Sequence, residues 1–148
     1  MCARDLNDLD PELRRRWHLA CQEYRRLHGE DPFPFVTDMY RDAGEQQAKV
    51  NECKSDAPPG HSLHNYRPCW ALDYGFRYAG SSKLSYADAL FARMFAILPK
   101  YGLACGVWIH GGTASLWHDK GHTQPEGYTW QQASAGVPPR WAELPKGS

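Results

Sequence analysis

The stretch GHSLHNYRPCWALDY, residues 60–74, places His64 nine positions before Asp73. The stretch WHDKGHTQ, residues 117–124, places Asp119 three positions before His122. Two imidazoles and a carboxylate are donor types that a catalytic zinc site takes from its protein, with the fourth position left to water. A further carboxylate beside such a site can accept that water's proton. His64, Asp73 and His122 would then ligate Zn2+, and Asp119 would be the general base. His61 is a rival ligand, because a turn-borne imidazole can face the same point if the register slips. His110 and His118 read as groove residues or as partners of the ligands. His18 and His28 have no acid or His at ligand spacing and read as surface groups. His and Asp are common, so spacing alone does not separate this pattern from a chance one.

Residues so far apart in the chain must be brought together by regular elements. In DPELRRRWHLACQEYRRL, Leu13, Trp17, Ala20, Cys21, Tyr24 and Leu27 recur at helical spacing. Asp10 is the expected N-cap and Pro11 the first helical residue, with Arg14 to Arg16 and Arg25 to Arg26 largely on the outer face. DPFPFV breaks that helix and leads into an extended run from Phe33 to Tyr40, and GEQQAKVNECK reads as a second, shorter helix. SDAPPG is a turn-forming linker. WALDYGFRY alternates as a strand, with Trp70, Leu72, Tyr74 and Phe76 on one face and Asp73 on the other. SYADALFARMFAIL reads as a well-buried helix capped by Ser85 and ended by Pro99 and Gly102. LACGVWI is a further strand, HGGTASLWHDKGHTQ a loop returning to a last strand, and SAGVPPRWAELPKGS an irregular tail. This order predicts an α+β fold with a small sheet backed by helices.

The chain has 148 residues, 42% of them hydrophobic, with 17 basic and 17 acidic side chains. That length suits one domain with one core. The even charge balance argues against bulk attraction to nucleic acid or to an anionic membrane. No apolar run approaches the roughly 20 residues that cross a bilayer, so no stable membrane insertion is expected. The N-terminus does not read as a signal peptide, which predicts synthesis in the cytoplasm. The five cysteines are widely spaced and form no C-x-x-C pair, so reduced, buried thiols are expected, with Cys69 packing rather than ligating.

The fuller pattern Ser62-x-His64-Asn65-x-x-Pro68-x-x-Ala71-x-Asp73, followed by Asp119-x-x-His122, resembles a known family. It is the zinc peptidase family of D-alanyl-D-alanine carboxypeptidases and phage L-alanyl-D-glutamate endolysins, which shares its fold with the hedgehog signalling domain. Upstream, MYRDAGEQQ resembles the family's GYRSxxEQ segment. The three blocks occur in the family's order and span roughly residues 10–125. The chain departs from the commoner form in several places. Asp73 follows His64 by nine positions rather than seven, with Asn65 and Pro68 between, as in the phage-associated variant. Met39 replaces a Gly, Gly121 a Pro and Gln124 an acid, and the Gly-Gly-x-Trp element survives only loosely in Gly111, Gly112 and Trp117.

The resemblance implies a hedgehog/DD-peptidase-like fold, with a mainly antiparallel sheet, in a single zinc peptidase domain over residues 1–148. The core would cover about 10–125 and the tail 126–148. It implies a zinc-dependent, endolysin-like peptidoglycan peptidase that cuts the L-Ala–D-Glu bond of the stem peptide. The alternatives are a D-Ala-D-Ala carboxypeptidase and a non-catalytic zinc domain that binds a wall peptide or a protein. Asp119 would pass the water's proton to the leaving amine, and Arg41 would polarise the scissile carbonyl. Gln46 would support Arg41, and Ser62, Gln46, Trp117 and His118 would line the substrate site. The competing readings are an ion pair of Arg41 with Asp38 or Glu45 and a local turn hydrogen bond for Ser62. The expected partner is the stem peptide, with no nucleic acid and a monomeric chain. A separate lysis factor would release the protein to the wall.

Overall fold

The structure, a computed structural model, describes residues 5–55, 57–106 and 119–148, and the backbone of 108–110 and 113–115. Helix α1 (Pro11–His28) begins where expected: the Asp10 carboxylate accepts from the backbone N–H groups of Glu12 and Leu13, and Pro11 needs no partner. It ends at Gly29, whose φ of 77° is the left-handed region that glycine enters without strain. Leu13, Trp17, Ala20 and Tyr24 form its buried stripe.

Strand β1 (Phe33–Asp38) and helix α2 (Ala43–Asn51) follow, and then a single turn of 3-10 helix, Leu63–Asn65. The central strand β2 (Leu72–Arg77) pairs antiparallel with β1 on one side. On its other side it pairs with β3 (Leu84–Ser85) at one end and β7 (His122–Pro125) at the other. Strand β4 (Leu103–Cys105) closes the sheet against β7, giving the order β1-β2-β7-β4. Strands β5 (Trp108–His110) and β6 (Thr113–Ser115) form a separate antiparallel pair, so the run LACGVWI read as one strand is divided between β4 and β5, and β6 lies in the stretch read as a loop. All of these pairings are antiparallel, so the predicted α+β class with an antiparallel sheet is what is observed.

The alternation read in β2 decides the layers. Leu72, Tyr74 and Phe76 point into the core, where Trp17 and Phe91 pack 5.1 and 5.2 Å from Tyr74 and Tyr24 packs 5.8 Å from Phe76. Each such side chain removed from water contributes about 1.5–3 kcal/mol. Helix α3 (Asp88–Phe95) adds Leu90, Phe91 and Met94. It is shorter than expected at both ends. Ser85 belongs to β3 and does not cap it; Ala87 holds that place without a side-chain bond. Pro99 and Gly102 instead belong to the 3-10 turn Leu98–Tyr101 and its cap.

Arg16 also departs from the outward orientation read from the sequence. It is buried and donates to the carbonyls of Tyr101 (2.9 Å) and Ala142 (2.7 Å), with the Trp141 ring 4.7 Å from its guanidinium. These contacts fasten the tail, which begins with helix α4 (Trp130–Ser134), to α1. Cys69 packs as expected, its thiol on the Ala71 carbonyl, but Cys53 is exposed rather than buried. Among the described residues no helix is long and apolar enough to cross a membrane.

Candidate metal centre and its cavity

The face of β2 opposite the core carries Asp73, whose register partners are Asp38 on β1 and His122 on β7. Three neighbouring strands therefore present two acids and an imidazole in one row. The turn Leu63–Asn65 brings His64 to the same place. Ser62 opens that turn by accepting the His64 backbone N–H, so the local bond weighed from the sequence is present.

Asp73 Oδ1 lies 3.1 Å from His122 Nδ1 and 3.3 Å from His64 Nε2. One donor atom from each of these residues lies within 4.8 Å of the others, and His61 is not in the group. The remaining ring nitrogens are committed elsewhere. His64 Nδ1–H donates to the Met39 carbonyl at 2.5 Å, which leaves Nε2 with its lone pair toward Asp73. His122 Nε2–H donates to Gln124 Oε1 at 2.7 Å, which leaves Nδ1 as its acceptor atom. Gln124 is itself oriented by its amide, which donates to the Tyr128 carbonyl at 2.8 Å. Two imidazole nitrogens and a carboxylate oxygen, converging on one point, fit a divalent metal ion that takes the place of an imidazole proton.

The charges reinforce one another. Burial alone would raise the Asp73 carboxyl, but the imidazoles of His64 and His122 outweigh it and hold the group well below the usual carboxylate range. Burial would lower His122, but the Asp73 carboxylate and then Asp119 raise it to about 9. Asp119 sits on the same cavity, one tight turn from His122, whose N–H donates to its carbonyl. Crowding by protein atoms raises its pKa, and the Asp73 charge adds to that.

Arg41 is buried beside this row. Its guanidinium reaches Asp38 Oδ2 at 2.8 Å, Gln46 Oε1 at 2.9 Å and Asp73 Oδ2 at 3.3 Å. It thus neutralises two cross-strand acids that would otherwise repel. The Asp38 pair anticipated for it exists, but inside the protein rather than on the surface. Gln46 is fully buried behind Arg41, whose guanidinium donates to its Oε1, and it is not among the residues on the cavity wall. Asn65 ties the same corner together, donating to the Arg41 carbonyl at 3.0 Å.

The cavity has a volume of about 430 Å³, and His64, Asp73, Asp119, His122, Arg41 and Ser62 are all on its wall. His61 lines it too, stacked on Trp130 at 3.9 Å. Trp117, His118, Gly111 and Gly112 lie outside the described residues, as does the His110 side chain.

No family model matches the chain, and no curated protein matches it. A solved structure does. The fold is shared with an L-Ala D-Glu endopeptidase. This is ChiX of Serratia marcescens, similar at a TM-score of 0.60 over 81% of this chain and 82% of that one, with 19% sequence identity. At that identity the likeness is one of fold, and it accords with the hedgehog/DD-peptidase-like architecture expected from the motifs.

Three features of the site stand outside the sequence motif: Gln124 as the partner of His122, the Met39 carbonyl as the partner of His64, and Asp38 in the row. Gln124 was within reach: on a strand, residues two apart share a face, so a polar side chain two after a ligand is its natural neighbour. The carbonyl of Met39 leaves no mark in the sequence.

Proposed function

We propose that the chain is a zinc-dependent peptidoglycan peptidase that hydrolyses the L-Ala–D-Glu bond of the stem peptide. The observation that carries this reading is the convergence of His64, Asp73 and His122 donor atoms on one point of a cavity that also holds Asp119 and Arg41. The shared fold with an L-Ala D-Glu endopeptidase supports the choice of bond.

His64 Nε2, a carboxylate oxygen of Asp73 and His122 Nδ1 would hold the ion. Zinc bound there supplies Lewis acidity, which brings the pKa of a water toward neutrality and polarises a carbonyl. The remaining work belongs to the chain. Asp119 takes the proton of the attacking water and returns it to the nitrogen of the leaving amine. Arg41, held from behind by Gln46 and Asp38, orients Asp73 and places positive charge where the carbonyl oxygen gains negative charge. Ser62 fixes the turn that aims His64, and its hydroxyl lies on the wall available to a substrate amide. Trp117 and His118 would complete the substrate groove.

In this reading the zinc peptidase domain spans residues 1–148 and acts as a monomer on the cell wall, reached after release by a separate lysis factor. The test is mass spectrometry of a purified muropeptide digest, with and without chelator. A chelator-sensitive product lacking everything after L-Ala supports the reading. Loss of only a terminal D-Ala identifies a carboxypeptidase, and zinc binding without cleavage identifies a binding domain.

A further inference from the structure

The cavity extends beyond the metal centre to the C-terminal end of α2, where Lys49, Lys54 and Ser55 are on its wall. Their placement follows from Gln46. That residue faces Arg41, and Lys49, three positions later on the helix, shares its face. The Gln46 amide then pins the following loop, donating to Ser55 Oγ at 3.0 Å and to the Ala57 carbonyl at 2.6 Å. Ser55 Oγ also accepts the Ala57 N–H at 3.2 Å. With both of those bonds accepted, the hydroxyl hydrogen of Ser55 is left to donate into the cavity.

Of the cations on this wall, Arg41 is occupied by Asp38, Gln46 and Asp73. Lys54 reaches Glu52 at 3.0 Å, but both groups are exposed, and such pairs hold each other weakly. Lys49 is half-buried and makes no ion pair with a described residue; its charge is the smallest of the influences that lower the Glu52 carboxyl, after those of Lys54. A half-buried ammonium group with no ion pair among the described residues, a second one on the same wall and a free hydroxyl donor make up an anion site in the cavity that also holds His64, Asp73 and His122.

We infer that Lys49, with Ser55 and Lys54, binds a carboxylate carried by the residue that contributes the scissile nitrogen. The inference rests on the peptidase reading and deepens it. A glutamate whose amine lies in the scissile bond has two carboxyl groups, of which one continues the peptide and the other stays free close to that nitrogen. A terminal D-Ala has its carboxylate at the same distance, so the shared chemistry is a carboxylate one carbon from the scissile nitrogen.

The test compares kcat/KM for two matched pairs of stem peptides: one with the D-Glu α-carboxyl free or amidated, the other ending in D-Ala–D-Ala as the acid or the amide. In whichever pair is cut, the wild type should favour the acid by roughly tenfold or more. In Lys49→Gln that ratio should fall toward one, and in Lys49→Arg it should return. Equilibrium binding of the same pair to an Asp119→Asn chain should show the same split. A wild-type ratio near one, or a ratio that Lys49→Gln leaves intact, overturns the inference while the peptidase reading stands. Cleavage of neither pair overturns the peptidase reading and the inference with it.

Discussion

Asp73 and His122 face each other as register partners across β2 and β7, with Asp73 Oδ1 3.1 Å from His122 Nδ1. The pairing of two strands thus sets the separation of two of the three donor groups. His122 is not free to choose its nitrogen, because Nε2 is held by Gln124. Replacing Gln124 by Leu removes that anchor and should weaken zinc affinity roughly 10- to 100-fold, with little change in thermal stability of the metal-free chain. A competition titration with a chromogenic chelator measures it. Unchanged affinity would mean that Gln124 does not orient the ligand.

Much of this arrangement was legible in the sequence, for reasons that differ by residue. The period of β2 put Asp73 opposite the core side chains, and the helical stripe of α1 with its Asp10–Pro11 start was readable from local rules. His64, Asp73 and His122 could be named from residue type and spacing together with the family pattern. What could not be read was long-range. Arg16 turns inward only because carbonyls from Tyr101 and Ala142 arrive from distant parts of the chain. Ser85 looks like a cap locally, but pairing with Phe76 draws it into the sheet. Lys49 carries no motif, and only the cavity shows that it shares a wall with His64, Asp73 and His122.

Asp119→Asn should lower kcat about a hundred- to ten-thousand-fold while one zinc per chain is retained, since the residue is placed to move a proton and not to ligate. Steady-state hydrolysis of a purified muropeptide and metal analysis of the same preparation check it together. Activity within a few-fold of wild type would remove Asp119 from the role of general base.

The paired charges give metal uptake a pH dependence. His122 is raised to about 9, so in the metal-free protein at neutral pH it carries a proton that a metal must displace. Zinc uptake should release at least one proton at pH 7, and apparent affinity should climb as pH rises toward 9. For the metal-free fold the sign is opposite. The stabilisation from charged His122 is complete below its ordinary 6.5 and is lost as pH rises through about 9. That from Asp73 is complete above its ordinary 3.8 and fades only in strong acid. Calorimetric titrations in buffers of different ionisation heat count the protons, and zero release would contradict the assignment.

Gly121 precedes His122 where an added Cβ would lie 2.6 Å from the Tyr74 carbonyl oxygen, which is backbone and cannot swing away. Gly121→Ala should therefore push β7 from β2, costing about 1–3 kcal/mol of stability. Denaturant midpoints of the metal-free proteins give the value directly. A loss below half a kcal/mol, roughly the scatter of neutral surface changes, would show that the strands do not meet so closely.

Thiol chemistry tests the packing independently. Burial pushes Cys21, Cys69 and Cys105 up to about 12, whereas Cys53 is exposed. In a Cys2→Ser background, one thiol should react rapidly with an aromatic disulfide reagent and the other three only on unfolding. Cys53→Ser should abolish the fast phase.

If His64, Asp73 and His122 together hold one catalytic metal ion, zinc content must depend on each of them. Metal analysis of purified wild type beside Asp73→Ala, each dialysed against trace zinc, decides the matter. One zinc per chain is expected in the wild type and almost none in the variant, with circular dichroism showing both folded. A wild type without stoichiometric zinc, or a variant that keeps it, would rule out this ligand set.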